Sequence, residues 1–396
     1  MIPYDYQVTL AKEATTIIRK YMIAYLAMEE RTGKTLTSIL VAEQLSNVKN
    51  VLIITKKKAL DGWHETLEAY KPKRNYTVTN YHQAHKQAKR PDLIILDESH
   101  NYISAFPKNG KIWKEVAALT KGVPLIYISA TPYAQGPQQL FHQFKLSSWS
   151  PWLKHGNFYQ WFRLYGKPYN KEISGIKIPQ YDRCHREMVI DACAHLFVTK
   201  TREELGFEHE PEDEVHMIGL GESTRYVYNQ LLEHDLVELS VGMLVCDTSP
   251  KLRTSLHQLE GGTIKIDDDR FVLANNEKVD FIKHKFGDSD SLVIMYNYIA
   301  EKEKLEAAFK HAKVLQATSY AEGVDLHEYD DLVIYSQDFS TARHTQRRAR
   351  QCNQKRTKPI TVHYLLVKGG ISAQVYKTVS LNKKNFVDSV FTRSKI

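Results

Sequence analysis

The stretch that most constrains this chain is Leu93-Ile94-Ile95-Leu96-Asp97-Glu98-Ser99-His100. Four apolar residues run directly into two adjacent carboxylates, a hydroxyl and an imidazole. The run is too short for a helix, and it reads as a strand buried on both faces of a parallel sheet. The carboxyl end of such a strand is where open α/β sheets bind their ligands. One acid there can hold a metal ion while its neighbour manages a proton. The competing reading is a strand that merely runs out into a charged loop, and the rest of the chain has to decide.

Upstream, Tyr25-Leu26-Ala27-Met28-Glu29-Glu30-Arg31-Thr32-Gly33-Lys34-Thr35 precedes an apolar run over 36–42. This is strand, loop and helix, with Gly33-Lys34-Thr35 at the helix start. Backbone N–H groups and the helix dipole attract an anion there, Lys34 reaches terminal phosphates, and the Thr35 hydroxyl suits magnesium. A full phosphate loop would carry glycine at the position of Met28, so the motif gains its weight from Asp97-Glu98 downstream. Before it, Tyr6-Gln7 leads into a helix over 8–21 and offers either a purine-reading amide or a helix cap.

Val51-Leu52-Ile53-Ile54 is a further buried strand, followed by Thr55-Lys56-Lys57-Lys58 and Trp63. The lysines read as a solvated turn or as contacts to a phosphate backbone. Val78-Thr79-Asn80-Tyr81 adds a short β-prone run, and 111–119 an amphipathic helix. Pro124-Leu125-Ile126-Tyr127-Ile128 then delivers Ser129-Ala130-Thr131-Pro132 to a strand end. Strands alternating with helices through residue 132 describe a parallel, doubly wound lobe. Phe158, Phe162 and Tyr165 fall at helical spacing and read as a packed stripe. The polar, acidic 206–214 reads as the linker between lobes.

The second half repeats the alternation. Helices are expected over 224–241, 252–259 and 301–311, with strands over 291–296, 314–318, 331–336 and 360–366. Gln346-Arg347-Arg348-Ala349-Arg350-Gln351 opens a further helix, its arginines facing either solvent or an acidic partner such as a terminal phosphate.

Composition bounds the partners. With 54 basic and 46 acidic residues the net charge is +8 and the pI near 9.0, which favours a polyanion. Four cysteines lack CxxC pairing and 17 histidines lack ligand spacing, so no zinc site and no disulfide framework is expected. No apolar run is long enough to span a bilayer, so a soluble, cytoplasmic protein without membrane partners is expected.

The order of these motifs resembles a superfamily-two helicase, most similar to Swi/Snf-type ATPases in a minimal, phage-like form. Tyr6-Gln7 resembles the adenine-reading element, Gly33-Lys34-Thr35 motif I, 54–63 motif Ia, Asp97-Glu98-Ser99-His100 motif II, and Ser129-Ala130-Thr131-Pro132 motif III. Residues 293–297 resemble motif IV, Glu322-Gly323-Val324-Asp325-Leu326 motif V and 346–353 motif VI. Lys200-Thr201-Arg202-Glu203-Glu204-Leu205 resembles the family's junction, and 357–362 with Gly369-Gly370-Ile371 its closing strand. Arg31 stands where the family has a small residue, Lys56 where it has proline, and Asn353 where it has the second arginine of motif VI.

The resemblance implies an α/β chain of two RecA-like lobes, 1–207 with an aromatic helical extension near 140–200, and 208–396, with ATP in the cleft between them. It implies nucleotide contacts from Gln7, Thr32, Gly33, Lys34, Thr35, Gly323 and Asp325, and Mg2+ on Thr35 and Asp97. Glu98 would polarise the attacking water and Arg350, or Arg347, stabilise transition-state charge, while Ser129, Thr131, His100 and Gln346 couple the site to DNA. DNA itself would meet Thr55, Lys56, Lys57, Lys58, Asn80, Tyr81, Asn297 and Thr318. The expected activity is that of a monomeric DNA-dependent ATPase on duplex or branched DNA in recombination, repair or replication, in the host cytoplasm if phage-encoded. An RNA helicase and a catalytically degenerate nucleic-acid-binding module are the alternatives.

Overall fold

The computed structural model describes residues 1–133, 136–173, 175–317, 326–353 and 356–381. Two compact units meet in sequence at Leu205 and Gly206. In the first, α1 (Asp5–Tyr21), β1 (Ile23–Leu26), α2 (Lys34–Gln44), β2 (Asn50–Thr55), α3 (Leu60–Tyr70), β3 (Asn75–Asn80), β4 (Leu93–Asp97), α4 (Lys111–Thr120) and β5 (Leu125–Ile128) alternate along the chain. Then follow α5 (Leu140–Lys145), α6 (Phe158–Tyr165), β6 (Tyr169–Ile173), β7 (Ile176–Gln180), α7 (Arg186–Asp191) and β8 (Phe197–Val198).

The sheet order is β3-β2-β4-β5-β1-β8, and every pairing is parallel. β1, β5 and the apolar part of β4 are buried residue by residue, as continuous apolar runs covered on both faces must be. Parallel pairing brings the carboxyl ends of β2, β4 and β5 side by side, and the candidate site lies there. Trp152, Phe158, Trp161 and Phe162 are buried in the core with Phe141 and Phe144, while Trp149 and Tyr159 stay exposed. The aromatic stretch is not helical throughout, because β6 and β7 form an antiparallel hairpin.

The second unit comprises β9 (Pro211–Ile218), α8 (Glu222–His234), β10 (Leu236–Leu239), β11 (Gly242–Val245), α9 (Ser249–Glu260), β12 (Thr263–Ile266), β13 (Asp269–Val272), α10 (Glu277–Lys285), β14 (Leu292–Tyr296) and α11 (Ile299–Ala308). It continues with β15 (Lys313–Gln316), β16 (Asp331–Ile334), α12 (Thr341–Arg348), β17 (Ile360–Val367) and α13 (Ile371–Leu381). A parallel sheet of order β15-β14-β16-β17-β9 forms its centre.

Three sequence expectations fail here. The acidic stretch read as a linker enters β9 at Pro211, an edge strand whose exposed side tolerates charge. Its half-buried acid, Asp213, accepts hydrogen bonds from Arg348 Nε at 2.5 Å and from Tyr376 Oη at 2.8 Å. The helix expected over 224–241 stops at His234, where Asp235 turns left-handed (φ 56°), and β10 and β11 follow as a hairpin. Leu236-Val237-Glu238-Leu239 alternates in a way that a helical period conceals. Finally, the arginine run closes α12 instead of opening a helix.

Candidate active site

The end of β4 resolves a problem of electrostatics, since two adjacent carboxylates must each find a partner. Glu98 adopts a left-handed backbone, φ 48° and ψ 40°, at a cost of about 1–2 kcal/mol for a residue with a Cβ. Asp97 and Glu98 thereby address different neighbours. Asp97 Oδ2 accepts from Thr55 Oγ1 at the end of β2, at 2.7 Å, and from Trp63 Nε1 at 3.0 Å. Glu98 Oε2 accepts from Ser129 Oγ, one residue beyond β5, at 2.8 Å. Each carboxylate is thus held by the hydroxyl at the end of a flanking strand. Burial pushes the Asp97 carboxyl up, the neighbouring Glu98 charge adds to this, and the Trp63 and Thr55 bonds and the nearby Lys56 oppose it.

His100 completes the Glu98 side. Its Nδ1 lies 3.0 Å from Ser129 Oγ and 3.3 Å from Glu98 Oε2, and its Nε2 lies 3.5 Å from Thr131 Oγ1. Burial, then the charge of Lys56, pulls its pKa down to about 4 despite the opposing Asp97, so the ring is neutral at pH 7. Ser129 gives its single proton to Glu98, and the tautomer these neighbours favour carries the His100 proton on Nδ1.

Between β1 and α2 the chain turns through the glycine-lysine-threonine loop. Gly33 has φ 74°, and a Cβ there would stand 2.2 Å from Gln7 Nε2, so glycine is required twice over. Gln7 caps α1 by accepting from Tyr4 N–H at 2.9 Å, and donates to the Gly33 carbonyl at 3.2 Å. Tyr6 Oη donates to the Thr32 carbonyl at 3.2 Å, and Thr32 Oγ1 to the Glu29 carbonyl at 2.7 Å. The first turn of α1 therefore braces the loop, and both polar ends of the Gln7 amide are engaged there. Arg31 sits at φ 67°, a conformation glycine would adopt more cheaply. Lys34 Nζ donates to the carbonyls of Met28 at 2.9 Å and Glu29 at 2.5 Å. Burial lowers its pKa, while the charges of Glu30, Glu98 and Asp97 hold it up. Thr35, the second residue of α2, is half-buried.

Two residues that the motif reading did not assign organise this site. Arg202 is buried against both glutamates of the loop: its N–H donates to Glu29 Oε2 at 2.6 Å, its Nε lies 3.7 Å from the same oxygen, and its Nη1 lies 3.5 Å from Glu30 Oε2. The Glu29 N–H in turn donates to the Lys200 carbonyl at 3.1 Å. Two carboxylates in an anion-attracting loop would repel phosphate, and Arg202 offsets them. Buried Gln143 on α5 accepts from Ser99 Oγ at 2.8 Å and Tyr25 Oη at 3.1 Å, and donates to the Pro132 carbonyl at 2.7 Å. It joins β1, the chain after β4 and the chain after β5. Only the junction string hinted at Arg202, and nothing in the sequence marked Gln143.

The residues expected to touch nucleic acid divide. Lys57 and Lys58 are exposed in the turn after β2, and Lys56 is half-buried. Asn80 is half-buried and its Oδ1 accepts from His82 N–H at 3.1 Å. Thr55 and Tyr81 are wholly buried and serve Asp97, Tyr81 by donating from Oη to its carbonyl at 2.9 Å. In the second unit, Arg347 is buried, with Nη2 3.3 Å from both Asp338 Oδ2 and Asn297 Oδ1, and burial lowers its pKa to about 10. Arg350 is also buried, and its carbonyl accepts from Leu326 N–H at 3.2 Å. Gln346 is half-buried on α12. Thr318, Gly323 and Asp325 lie outside the described residues.

No protein-family model matches the chain, and no curated protein does. Among solved structures it is similar to the Sulfolobus solfataricus SWI2/SNF2 ATPase core in complex with dsDNA, at 14% identity and TM-score 0.46, covering 96% of this chain and 91% of that one. It is also similar to the Sulfolobus solfataricus SWI2/SNF2 ATPase core domain, at 13% identity and TM-score 0.44, covering 97% and 91%. Likeness this low assigns no activity by itself, and the chemistry rests on the side chains described above.

Two predictions arise from this geometry. Arg202→Ala leaves the two buried glutamates without their shared cation and should destabilise the first unit by roughly 3–5 kcal/mol, measured by chemical denaturation; a loss under about 1 kcal/mol would contradict the clamp. His100 should make stability fall on acidification. Its folded pKa of about 4 lies below the usual 6.5, so the unfolded chain takes up the proton first. The contribution is intact above pH 6.5 and declines toward pH 4, by up to about 3 kcal/mol. Denaturation of wild type and His100→Gln across that range should show a shallower decline in the variant.

Proposed function

We propose that this chain is a DNA-stimulated ATPase of the SWI2/SNF2 kind that translocates on duplex or branched DNA. The observation that supports this most is the division of labour at the end of β4. Asp97 is fixed through Oδ2 by Thr55 and Trp63, so that Oδ1 could ligate a metal ion, while Glu98 is fixed by Ser129 beside a neutral His100.

The residues fit ATP and Mg2+. The N-terminal N–H groups of α2 and the Lys34 ammonium would hold the phosphates, with Lys34 giving up the Met28 and Glu29 carbonyls to do so. Thr35 and Asp97 would hold Mg2+, which when bound neutralises charge on the phosphates. Glu98 would orient and polarise the attacking water through the carboxylate that Ser129 positions. Arg350, with Arg347 as the alternative, would stabilise transition-state charge. The net charge of +8 and exposed Lys57 and Lys58 favour a polyanion as partner. Service in recombination, repair or replication, in a phage setting, is the role we assign, and RNA in place of DNA is the alternative that the same chemistry permits.

Steady-state ATP hydrolysis with duplex DNA, single-stranded DNA and RNA tests this directly. DNA should stimulate turnover more than RNA does, and Glu98→Gln should lower it about 10²–10⁴-fold. A Glu98→Gln variant with near-normal turnover would refute the assignment. Replacing Lys56, Lys57 and Lys58 together by alanine should shallow the salt dependence of DNA binding by one or more phosphate contacts. An unchanged slope would return these lysines to the status of a solvated turn.

A further inference from the structure

Three potential ligand atoms converge on one face of the second unit's sheet. Glu214 and His216 alternate along β9 and share that face, and His363 on β17 is the register partner of Glu214. His216 Nε2 lies 3.1 Å from His363 Nδ1, His363 Nδ1 3.3 Å from Glu214 Oε2, and His216 Nε2 3.6 Å from Glu214 Oε1. Tetrahedral zinc, with bonds of about 2.0–2.1 Å, spaces its ligand atoms about 3.3 Å apart. We infer that Glu214, His216 and His363 form a zinc site that ties the edge strand β9 to β17.

The surroundings support a metal. His363 Nε2 lies 3.4 Å from Asp331 Oδ1, within ion-pair reach although not aligned as a hydrogen bond. A carboxylate on the far nitrogen is the outer-shell arrangement that orients metal-binding imidazoles and leaves Nδ1 free to ligate. Phe281 and Phe286 pack on the imidazoles of His216 and His363, at centroid distances of 5.0 and 4.7 Å, and fix the rings. The cluster already attracts a cation: Lys285 Nζ lies 2.5 Å from Glu214 Oε1 and 3.5 Å from His216 Nε2. Lys285 is partly exposed on a flexible stem at the end of α10, so it can withdraw and admit the ion. Glu214 is the solvent-facing ligand and the entry side. The sequence gives no ligand spacing because His216 and His363 stand 147 residues apart and meet only through strand pairing.

The test is equilibrium dialysis of the full metal-free chain against zinc, with cobalt(II) absorption as a probe of coordination. Wild type should hold one zinc more than Glu214→Gln and His216→Ala. Its cobalt complex should show the visible bands of a four-coordinate site, which both variants lose. Asp331→Asn should weaken binding about 10–100-fold, and Lys285→Met should tighten it at least about tenfold by removing the competing charge. Zinc should raise the melting temperature of wild type and not that of Glu214→Gln, a substitution at an exposed side chain that serves if His216→Ala misfolds. Equal zinc stoichiometry and affinity in wild type, Glu214→Gln and His216→Ala would overturn the site.

Discussion

Everything at the candidate site depends on one constraint: a strand buried on both faces releases its chain into two adjacent carboxylates that cannot share one environment. The left-handed turn at Glu98 separates them, and each is then claimed by a hydroxyl from a neighbouring strand end, Thr55 for Asp97 and Ser129 for Glu98. Parallel order is what makes this possible. With β4 between β2 and β5, the flanking hydroxyls arrive at the same edge of the sheet without any long loop. Two side chains of the same chemical type thereby acquire different partners.

Opposite the acids, the loop before α2 is braced from several directions. Gln7 and Tyr6 secure it through backbone carbonyls, Gly33 allows the close approach that Gln7 needs, and Arg202 balances Glu29 and Glu30. The loop itself carries two carboxylates, Glu29 and Glu30, and the cations of Lys34 and Arg202 stand beside them. Gln143, behind the acids, joins three segments with one amide and is buried where an unpaired amide would be costly.

Much of this was legible as chemistry and little as geometry. Continuous apolar runs marked β2, β4 and β5 because strands covered on both faces carry no alternation, and Gly33-Lys34-Thr35 and Asp97-Glu98 fall in the loop after β1 and at the end of β4. The partners were not legible, because they come from distant parts of the chain: Thr55 and Tyr81 looked like outward-facing contacts and are turned onto Asp97, and Arg202 reaches back 173 residues to Glu29. β9 escaped notice because an acidic edge strand has the composition of a linker. The β10–β11 and β12–β13 hairpins escaped because each of their strands is only four residues long, too short to establish a period.

The roles proposed for Lys34, Asp97 and Glu98 require that the loop before α2 and the end of β4 form one nucleotide site. Titration of the wild-type chain and of Lys34→Ala with ATP in the presence of magnesium tests it most directly. Wild type should bind saturably and Lys34→Ala should not, with both proteins melting at similar temperatures. Equal affinity in the two proteins would place the nucleotide elsewhere and contradict a site at this loop.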